Sequence, residues 1–434
     1  MPVWRGFFGE RARNAIYGWS QVAFRQPYMQ RKVAGFNVHI PLEPALIQRV
    51  LLDNAANYEK PRIVKTLLAP VIGRGLLTSD GELWRGQRRI VAASFVPPAV
   101  DASLPIFAGA ARAVMARWDA TGPVDMAAQA TATTMRIISD SLFAGDERLT
   151  SDAATAHIAA ALDAFSGRRL QALLGLPEFH LTAKARAGRR GQVYLRETLT
   201  EVVRDRLRAG GSDDFLGILI KALGERFEPA EAEALAIDNA ATFYLAGHET
   251  TANAMAWALF LLSEQPALQD EVAVEAKAAL GGGEDDPGLP ERLPLLRRVI
   301  EETLRLYPPA PRIDRQAVAA DRLGEHDIGP GDIVSIWPWL LHRHEALWDD
   351  PDAFDPERWQ PEAKAARHRF QYIPFGGGPR LCVGARFATV EALTVLAHWL
   401  SRWRFAPLPG RAVTPSGMVT LRPAGGLPLL LSRR

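Results

Sequence analysis

The stretch Phe375-Gly376-Gly377-Gly378-Pro379-Arg380-Leu381-Cys382-Val383-Gly384 holds the single cysteine of the chain. Its glycines let the backbone turn sharply and let a flat ligand approach closely. Cys382 is then expected at the mouth of the helix that follows, where free N–H groups and the helix dipole favour an anion. Thiolate is the ligating form of cysteine, so the loop suits the presentation of one ionised sulfur to a metal. Two other readings apply to such a loop. A glycine-rich turn before a helix can hold phosphate, although the Lys-Ser/Thr ending of a phosphate loop is missing here. A cysteine beside a turn can also be a buried, inert thiol.

A second cluster, Ala246-Gly247-His248-Glu249-Thr250-Thr251, sets an acid and hydroxyls among apolar neighbours. Gly247 weakens a helix and Thr250 can divert a backbone carbonyl, which predicts a local bend or groove. Polar groups in such surroundings need partners or a task, the plain reading being a satisfied core threonine and a surface glutamate. Zinc chemistry fits poorly. His248-Glu249 and His344-Glu345 each open the pattern His-Glu-x-x-His, but Ala252 and Trp348 fill the closing positions. His342 and His344 have a spacing that suits a strand and lack an evident third ligand. None of the nine histidines has Asp or Glu two residues later, which removes the usual start of a non-haem iron triad.

The elements that must position these residues are mostly helices. Residues 231–264 run without proline and are apolar nearly all round, which predicts a long helix surrounded by protein. A helix is expected from just after Cys382 to Trp403, with Val383, Phe387, Val390, Leu393, Ala397 and Leu400 as its apolar stripe. Periodicity of three to four also predicts helices over 105–118, 158–174 and 191–207. Alternation predicts short strands at 36–40, 333–337 and 418–421, and 281–287 reads as a loop. Strands cluster towards the ends and helices fill the centre, so the fold class is mainly α with small β-sheets, one large domain with the sheets at its side.

Fifty-one Lys and Arg against 49 Asp and Glu give a net charge of +2 and no general reason to expect a nucleic-acid partner. One cysteine cannot form an internal disulfide, so a reducing cytosol is the default compartment. The strongest spanning candidate, 239–263, carries His248 and Glu249 near its middle and reads as a buried helix instead of a membrane span. Residues 1–40 mix aromatics (Trp4, Phe7, Phe8, Tyr17, Trp19, Phe24) with arginines. They read as an arm packed on its own domain, with peripheral contact to a membrane surface as the other reading.

Phe-Gly-x-Gly-x-x-x-Cys-x-Gly, satisfied from Phe375 to Gly384, resembles the haem-binding signature of the cytochrome P450 superfamily. Glu302-Thr303-Leu304-Arg305, followed by Tyr307-Pro308-Pro309, is similar to that family's K-helix. Glu302 and Arg305 share a helix face. Pro356-Glu357-Arg358-Trp359 resembles the next segment, whose Arg358 would complete a buried ionic lock. Ala246 to Thr251 resembles the oxygen-activation motif, and Trp84-Arg85-Gly86-Gln87-Arg88-Arg89 the C-helix. All occur in the family's order.

The resemblance implies one catalytic domain over 1–434 with the P450 fold, a long central helix over a haem and the cysteine loop with its helix on the opposite face. It implies haem b held non-covalently by the Cys382 thiolate, beside Phe375, with Ala246 and Gly247 leaving room over the iron. Glu249 would relay protons and Thr250 would steady bound dioxygen and its water. Trp84, Arg88, Arg315 and Arg380 match propionate positions, with Arg312 as a substitute for Arg315. Gln87 stands where many relatives carry His. The reaction implied is insertion of one oxygen atom from O2 into a hydrophobic small molecule, most simply hydroxylation. Wall positions by resemblance include Leu76, Leu77, Phe243, Ile313, Met418 and Val419, while Arg62 or Lys65 would meet a substrate carboxylate. No flavin or iron–sulfur segment follows Cys382, so electrons are expected from a separate ferredoxin or flavin reductase. Arg85, Arg89, Lys364, Arg367, Arg369 and Arg386 are candidates for its docking. A peroxide-driven haem enzyme and a non-enzymatic haem binder or sensor are the alternatives.

Overall fold

The computed structural model describes residues 14–33, 35–151, 153–154, 156–157, 160–161, 182–210, 214–417 and 419–434. Its longer helices are α1 (Arg62–Ile72), α2 (Gly81–Ala92), α3 (Leu104–Met115), α4 (Met126–Leu142), α5 (Ala183–Arg208), α6 (Phe215–Gly224), α7 (Pro229–Ser263), α8 (Pro266–Gly281), α9 (Pro294–Leu306) and α10 (Ala385–Leu400). The strands are β1 (Tyr28–Val33), β2 (Phe36–Pro41), β3 (Tyr58–Glu59), β4 (Pro123–Asp125), β5 (Ile313–Ala317), β6 (Asp321–Leu323), β7 (His326–Ile328), β8 (Ile333–Ile336), β9 (Trp403–Pro407), β10 (Pro415–Gly417), β11 (Leu421–Pro423) and β12 (Pro428–Arg433). The chain divides into two compact units.

The first unit comprises residues 1–59, 100–133 and 249–434 and contains every described strand. Its main sheet has the order β1-β2-β8-β5-β3, antiparallel except where β2 runs parallel to β8 with Val38 opposite Ile333. Ile40, Val334, Ile336 and Leu341 pack beneath it with Leu51, Phe370 and Ile373. The described part of the N-terminal arm lies on this unit. Trp19 meets Trp337 edge to face at 4.9 Å, and Arg25 pairs with Glu345. Helix α10 is buried on nearly all sides. On α3, Phe107 packs against its Phe387, and the Ala111 carbonyl accepts from the indole of its Trp399. Helix α9 opens at Pro294, and the Glu275 carboxylate of α8 caps it by accepting from the N–H groups of Leu295 and Leu296 at 2.7 and 2.9 Å.

The second unit, residues 60–99 and 134–248, is helical among its described residues. Phe95, Phe215 and Phe243 form one aromatic cluster, so Phe243 is a core residue here. Asp238 accepts from Arg196 at 2.6 Å and from the Arg74 N–H at 2.7 Å, which ties α5 and the turn after α1 to α7.

The long helix spans 35 residues, about 50 Å at 1.5 Å per residue. It stays helical through Gly247 to Thr251, where a bend was expected. The expected helix to Trp403 ends at Leu400, because Trp403 opens β9 and pairs with Arg433 of β12. The strand expected at 418–421 is two strands, β10 and β11, on either side of that segment; Met418 lies outside the described residues. Most of 158–174 and residues 1–13 also lie outside them. Among the described residues no single helix is long and apolar enough to cross a membrane.

Candidate active site: a cysteine loop and a polar helix segment

The support beneath the loop is an ion pair on α9. Arg305 and Glu302, three residues apart and both fully buried, form two parallel hydrogen bonds of 2.8 Å. Arg305 also donates to the carbonyls of His342, Pro351 and Ala353 at 2.6–2.8 Å. Glu302 accepts further from the Asp355 N–H at 3.0 Å and the Trp359 indole at 2.9 Å. Two buried charges are tolerated in this way, with each lone pair and proton matched. Arg358 is a looser third member than expected. Its Nε lies 3.4 Å from Glu302, and its hydrogen bond goes to the Asp350 carbonyl.

His342 carries that support to the loop. Its Nε2 accepts from the Ile373 N–H at 2.9 Å, two residues before Phe375. Complete burial, then the charges of Arg305 and Arg343, hold its pKa down to about 3, so the ring is neutral and its second nitrogen carries the proton. His342 and His344 do not lie on a strand. They follow the short helix Pro338–Leu341, and His344 bonds to the Gln26 carbonyl at 3.1 Å.

Along the loop, Gly376 and Gly378 have φ of +77° and +64°, the left-handed region that side chains disfavour. A Cβ on Gly378 would stand 1.7 Å from the Leu51 carbonyl oxygen, so only glycine lets the loop pass that backbone. The Cys382 N–H donates to the Phe375 carbonyl at 2.9 Å, closing the turn, and the cysteine itself is exposed. Helix α10 begins three residues later at Ala385. Cys382 therefore sits just before its first free N–H groups, as expected.

On α7, the residues around 246 interrupt an otherwise buried helix. Ala246 is exposed and Glu249 and Thr250 are half-buried, between buried runs on either side. Gly247 has a packing reason of its own, since a Cβ there would meet the Ile138 Cδ1 of α4 at 2.5 Å. The His248 carbonyl accepts from outside its own helix, from the Thr134 hydroxyl of α4 at 2.8 Å. Glu249 accepts from the Thr420 hydroxyl at 2.6 Å, which fixes one carboxylate oxygen.

The remaining predicted donors are placed as follows. Trp84 and Arg88 are half-buried, one turn apart on α2. Gln87, between them, is fully buried and gives its amide to the Arg74 carbonyl and Ser79 while accepting from Asn239 at 2.6 Å, a structural network. Arg315 lies on β5 and is 5% exposed, with one guanidinium N–H on the Asp314 carbonyl. Arg312 pairs with the Asp314 carboxylate at 2.9 Å, which makes it the poorer candidate of the two. Arg380 is half-buried in the loop. Lys65 is paired with Asp80 at 2.6 Å and so is not a ready anchor for a substrate carboxylate. In the unit that holds the loop, Lys364 pairs with Glu301 and Arg386 with Asp101, and Arg367 lies over Trp348 and Trp359. In the other unit Arg85 pairs with Glu82.

The supports that sequence reasoning missed are His342, Trp359, Thr134, Ile138 and Thr420. Their partners lie from 31 to 171 residues away in the sequence. No local spacing signals them.

A haem held through sulfur needs one thiol with an open approach, a helix stretch without bulk, and N–H donors for two propionates. The exposed Cys382 on its tied backbone, the exposed Ala246, and the buried guanidinium of Arg315 are of the right chemical types.

Comparison with known proteins agrees. The family described as "Cytochrome P450" matches residues 23–426. Cyclooctatin synthase of Streptomyces melanosporofaciens is 32% identical over 88% of this chain and 84% of its own length. Cyclooctat-9-en-7-ol 5-monooxygenase of the same organism is 31% identical, over 86% and 81%. The crystal structure of the cytochrome P450DA heme domain superposes with a TM-score of 0.84 at 24% identity, covering 99% of this chain and 95% of that one, a likeness of fold. The chain belongs to the cytochrome P450 family: it is a P450 monooxygenase whose cofactor is haem with a cysteine thiolate ligand.

Proposed function

We propose that residues 1–434 form one catalytic domain in which Cys382 is the thiolate ligand and one oxygen atom of O2 enters a hydrophobic small molecule, most simply as hydroxylation. Bound haem supplies the activation of dioxygen, with thiolate donation favouring cleavage of the O–O bond. The rest is work for the chain's own side chains. Trp84, Arg88, Arg315 and Arg380 donate to the propionates, the arginines through charge-assisted hydrogen bonds. Phe375 and the glycines beside it hold the sulfur in place, and Ala246 and Gly247 keep bulk away from the reacting centre. Thr420 anchors one oxygen of Glu249, leaving the other to exchange protons with Thr250 and solvent.

The observation that carries this reading is the single exposed cysteine on a backbone tied at Phe375, three residues before α10. A hydrophobic substrate is supported by the relative whose name gives it an unsaturated alcohol, cyclooctat-9-en-7-ol, to oxygenate. Electrons come from a separate ferredoxin or flavin reductase in the cytoplasm.

The test is the carbon-monoxide difference spectrum of the reduced protein, followed by a ligand-shift screen of fatty acids, terpenes and aromatics and by product analysis with added donor proteins. A thiolate-type spectrum lost in Cys382→Ala, and an oxygenated product that needs the donor, are expected. An unchanged spectrum in Cys382→Ala overturns the ligand assignment. Brisk turnover with peroxide alone, and none with donor proteins, replaces the dioxygen route with a peroxide-driven one.

A further inference from the structure

Tyr28 opens β1, an edge strand of the main sheet, and is half-buried. Its hydroxyl lies 2.6 Å from Nδ1 of His39 on the adjacent β2. The other ring nitrogen, Nε2, lies 3.2 Å from the carboxylate of Asp332, the residue just before β8. That carboxylate is held at both oxygens, by the Asn37 amide at 3.0 Å and the Gly329 N–H at 2.8 Å. A carboxylate only accepts, so Nε2 carries the ring proton and Nδ1 turns its lone pair to the phenol O–H. Hydroxyl, imidazole and carboxylate thus stand in series across the neighbouring strands β1, β2 and β8.

Four other tyrosines use their hydroxyls differently. Tyr58 is buried and donates to Asp321, a carboxylate that Arg49 pairs at 2.6 Å. Tyr194, Tyr244 and Tyr372 donate to backbone carbonyls. Neither a paired carboxylate nor a carbonyl is a base near neutral pH, whereas an imidazole is. Burial, then the charge of Asp332, push the Tyr28 phenol above its usual range, so its proton stays until a new bond to the oxygen forms. The ring is clamped meanwhile, because His326 stacks on it with centroids 3.6 Å apart and planes 5° from parallel. Solvent reaches the surroundings: Asn37 and Asp327, which flank the site, are exposed.

A hydroxyl beside a base that a third group orients is the arrangement of an activated nucleophile. We propose that Tyr28 is a covalent acylation site for an activated acyl ester, with His39 as its base and Asp332 as the residue that orients the imidazole. The phenol oxygen bonds to the acyl carbon as its proton passes to Nδ1 of His39. The ester C–O bond then breaks, and the leaving oxygen departs with the electron pair and takes the proton from His39. The acyl group ends on the Tyr28 oxygen, and no oxidant or reductant is needed. Asp332 faces the imidazolium while it exists and so stabilises the charge that forms. Neither Cys382 nor α7 takes part, so the site stands or falls apart from the haem reading.

The holoprotein treated with p-nitrophenyl acetate tests this, with peptide mass spectrometry following the acetyl group at each tyrosine over time. Tyr17, 57% exposed, is the reference within the same molecule. General-base help is worth about a hundredfold or more, so Tyr28 should gain acetyl at least about tenfold faster than Tyr17 although it is less exposed. His39→Gln and Asp332→Asn should each bring the Tyr28 rate down towards that of Tyr17 and leave Tyr17 as it was. Acetylation of Tyr28 no faster than that of Tyr17 overturns the proposal. So does a Tyr28 rate unchanged in His39→Gln. If His39→Gln does not fold, Asp332→Asn, which leaves the imidazole in place, decides in its stead, and the wild-type comparison needs no variant. The carbon-monoxide spectrum of each protein shows separately that the haem reading and the fold are intact.

Discussion

His342 gives the fold a sharp acid dependence that a single substitution should relieve. Its ring is neutral, with burial and two neighbouring arginines holding the pKa near 3, against about 6.5 in an unfolded chain. The folded value is the lower one, so the stabilisation is fully present above about pH 6.5 and fades as pH falls towards 3. Between about pH 7 and about pH 5 the unfolded chain takes up the proton and the folded chain does not, at about 1.4 kcal/mol per factor of ten, or about 2 kcal/mol in all. His398, also buried and held down to about 4, adds a similar slope over the same window. The comparison therefore has to be between proteins. His342→Gln keeps an acceptor for the Ile373 N–H and loses the titration, so its unfolding free energy should fall by about 2 kcal/mol less than that of the wild type over this interval. Denaturant unfolding at the two pH values, followed by tryptophan fluorescence, measures it. The thiolate-type carbon-monoxide spectrum should also survive to lower pH in His342→Gln, because Ile373 leads into the cysteine loop. Equal pH dependence of the two proteins would refute the neutral, fully buried ring.

The other expectations are also local. Glu302→Gln leaves the Arg305 guanidinium buried without its counter-charge and should destabilise by about 3–5 kcal/mol in denaturant melts. Arg305→Lys should not rescue the site, since one ammonium cannot serve two carboxylate oxygens and three carbonyls at once. Gly378→Ala should lose haem and the thiolate spectrum, through about 1–2 kcal/mol of left-handed backbone strain plus a clash with the Leu51 carbonyl. Gly35→Ala, at φ +87° with open space around it, incurs the strain alone and should keep both. Gly247→Ala should destabilise through Ile138, and Ile138→Ala should recover part of the loss, a coupling that a double-mutant cycle reads. Reduction by an acidic donor protein should weaken only modestly with added salt, because Lys364, Arg386 and Arg85 already have carboxylate partners. A steep decline in stopped-flow rate would contradict that.

The residues proposed to carry the chemistry were legible because they are close in sequence. Cys382 and its glycines, Glu302 and Arg305, and Ala246 to Thr251 each sit within one loop or two helical turns, so spacing alone sets their geometry. Helix existence was legible for the same reason, since a period of 3.6 is a local property. Boundaries were less so. Trp403 continues the apolar stripe of α10, but it is drawn into β9 by pairing with Arg433, thirty residues on, and a long-range hydrogen bond outweighs local propensity there. The pairing of the candidate docking residues was less legible, because a charge count does not show that Glu301 and Asp101 return from distant segments to meet Lys364 and Arg386.

Gly247 shows how one residue can answer to a motif and to packing together. Its sequence neighbours place it in the oxygen-activation pattern, whereas Ile138 of α4 fills the space that a Cβ would need. Thr134, one helical turn earlier on α4, donates to the adjacent His248 carbonyl. Helix α4 thus both demands the small residue and supplies a hydroxyl to the backbone beside it. A helix carbonyl with a second donor is less firmly committed to its own i+4 partner, here Ala252. The helix nevertheless stays continuous from Gly247 to Thr251, where a bend was expected.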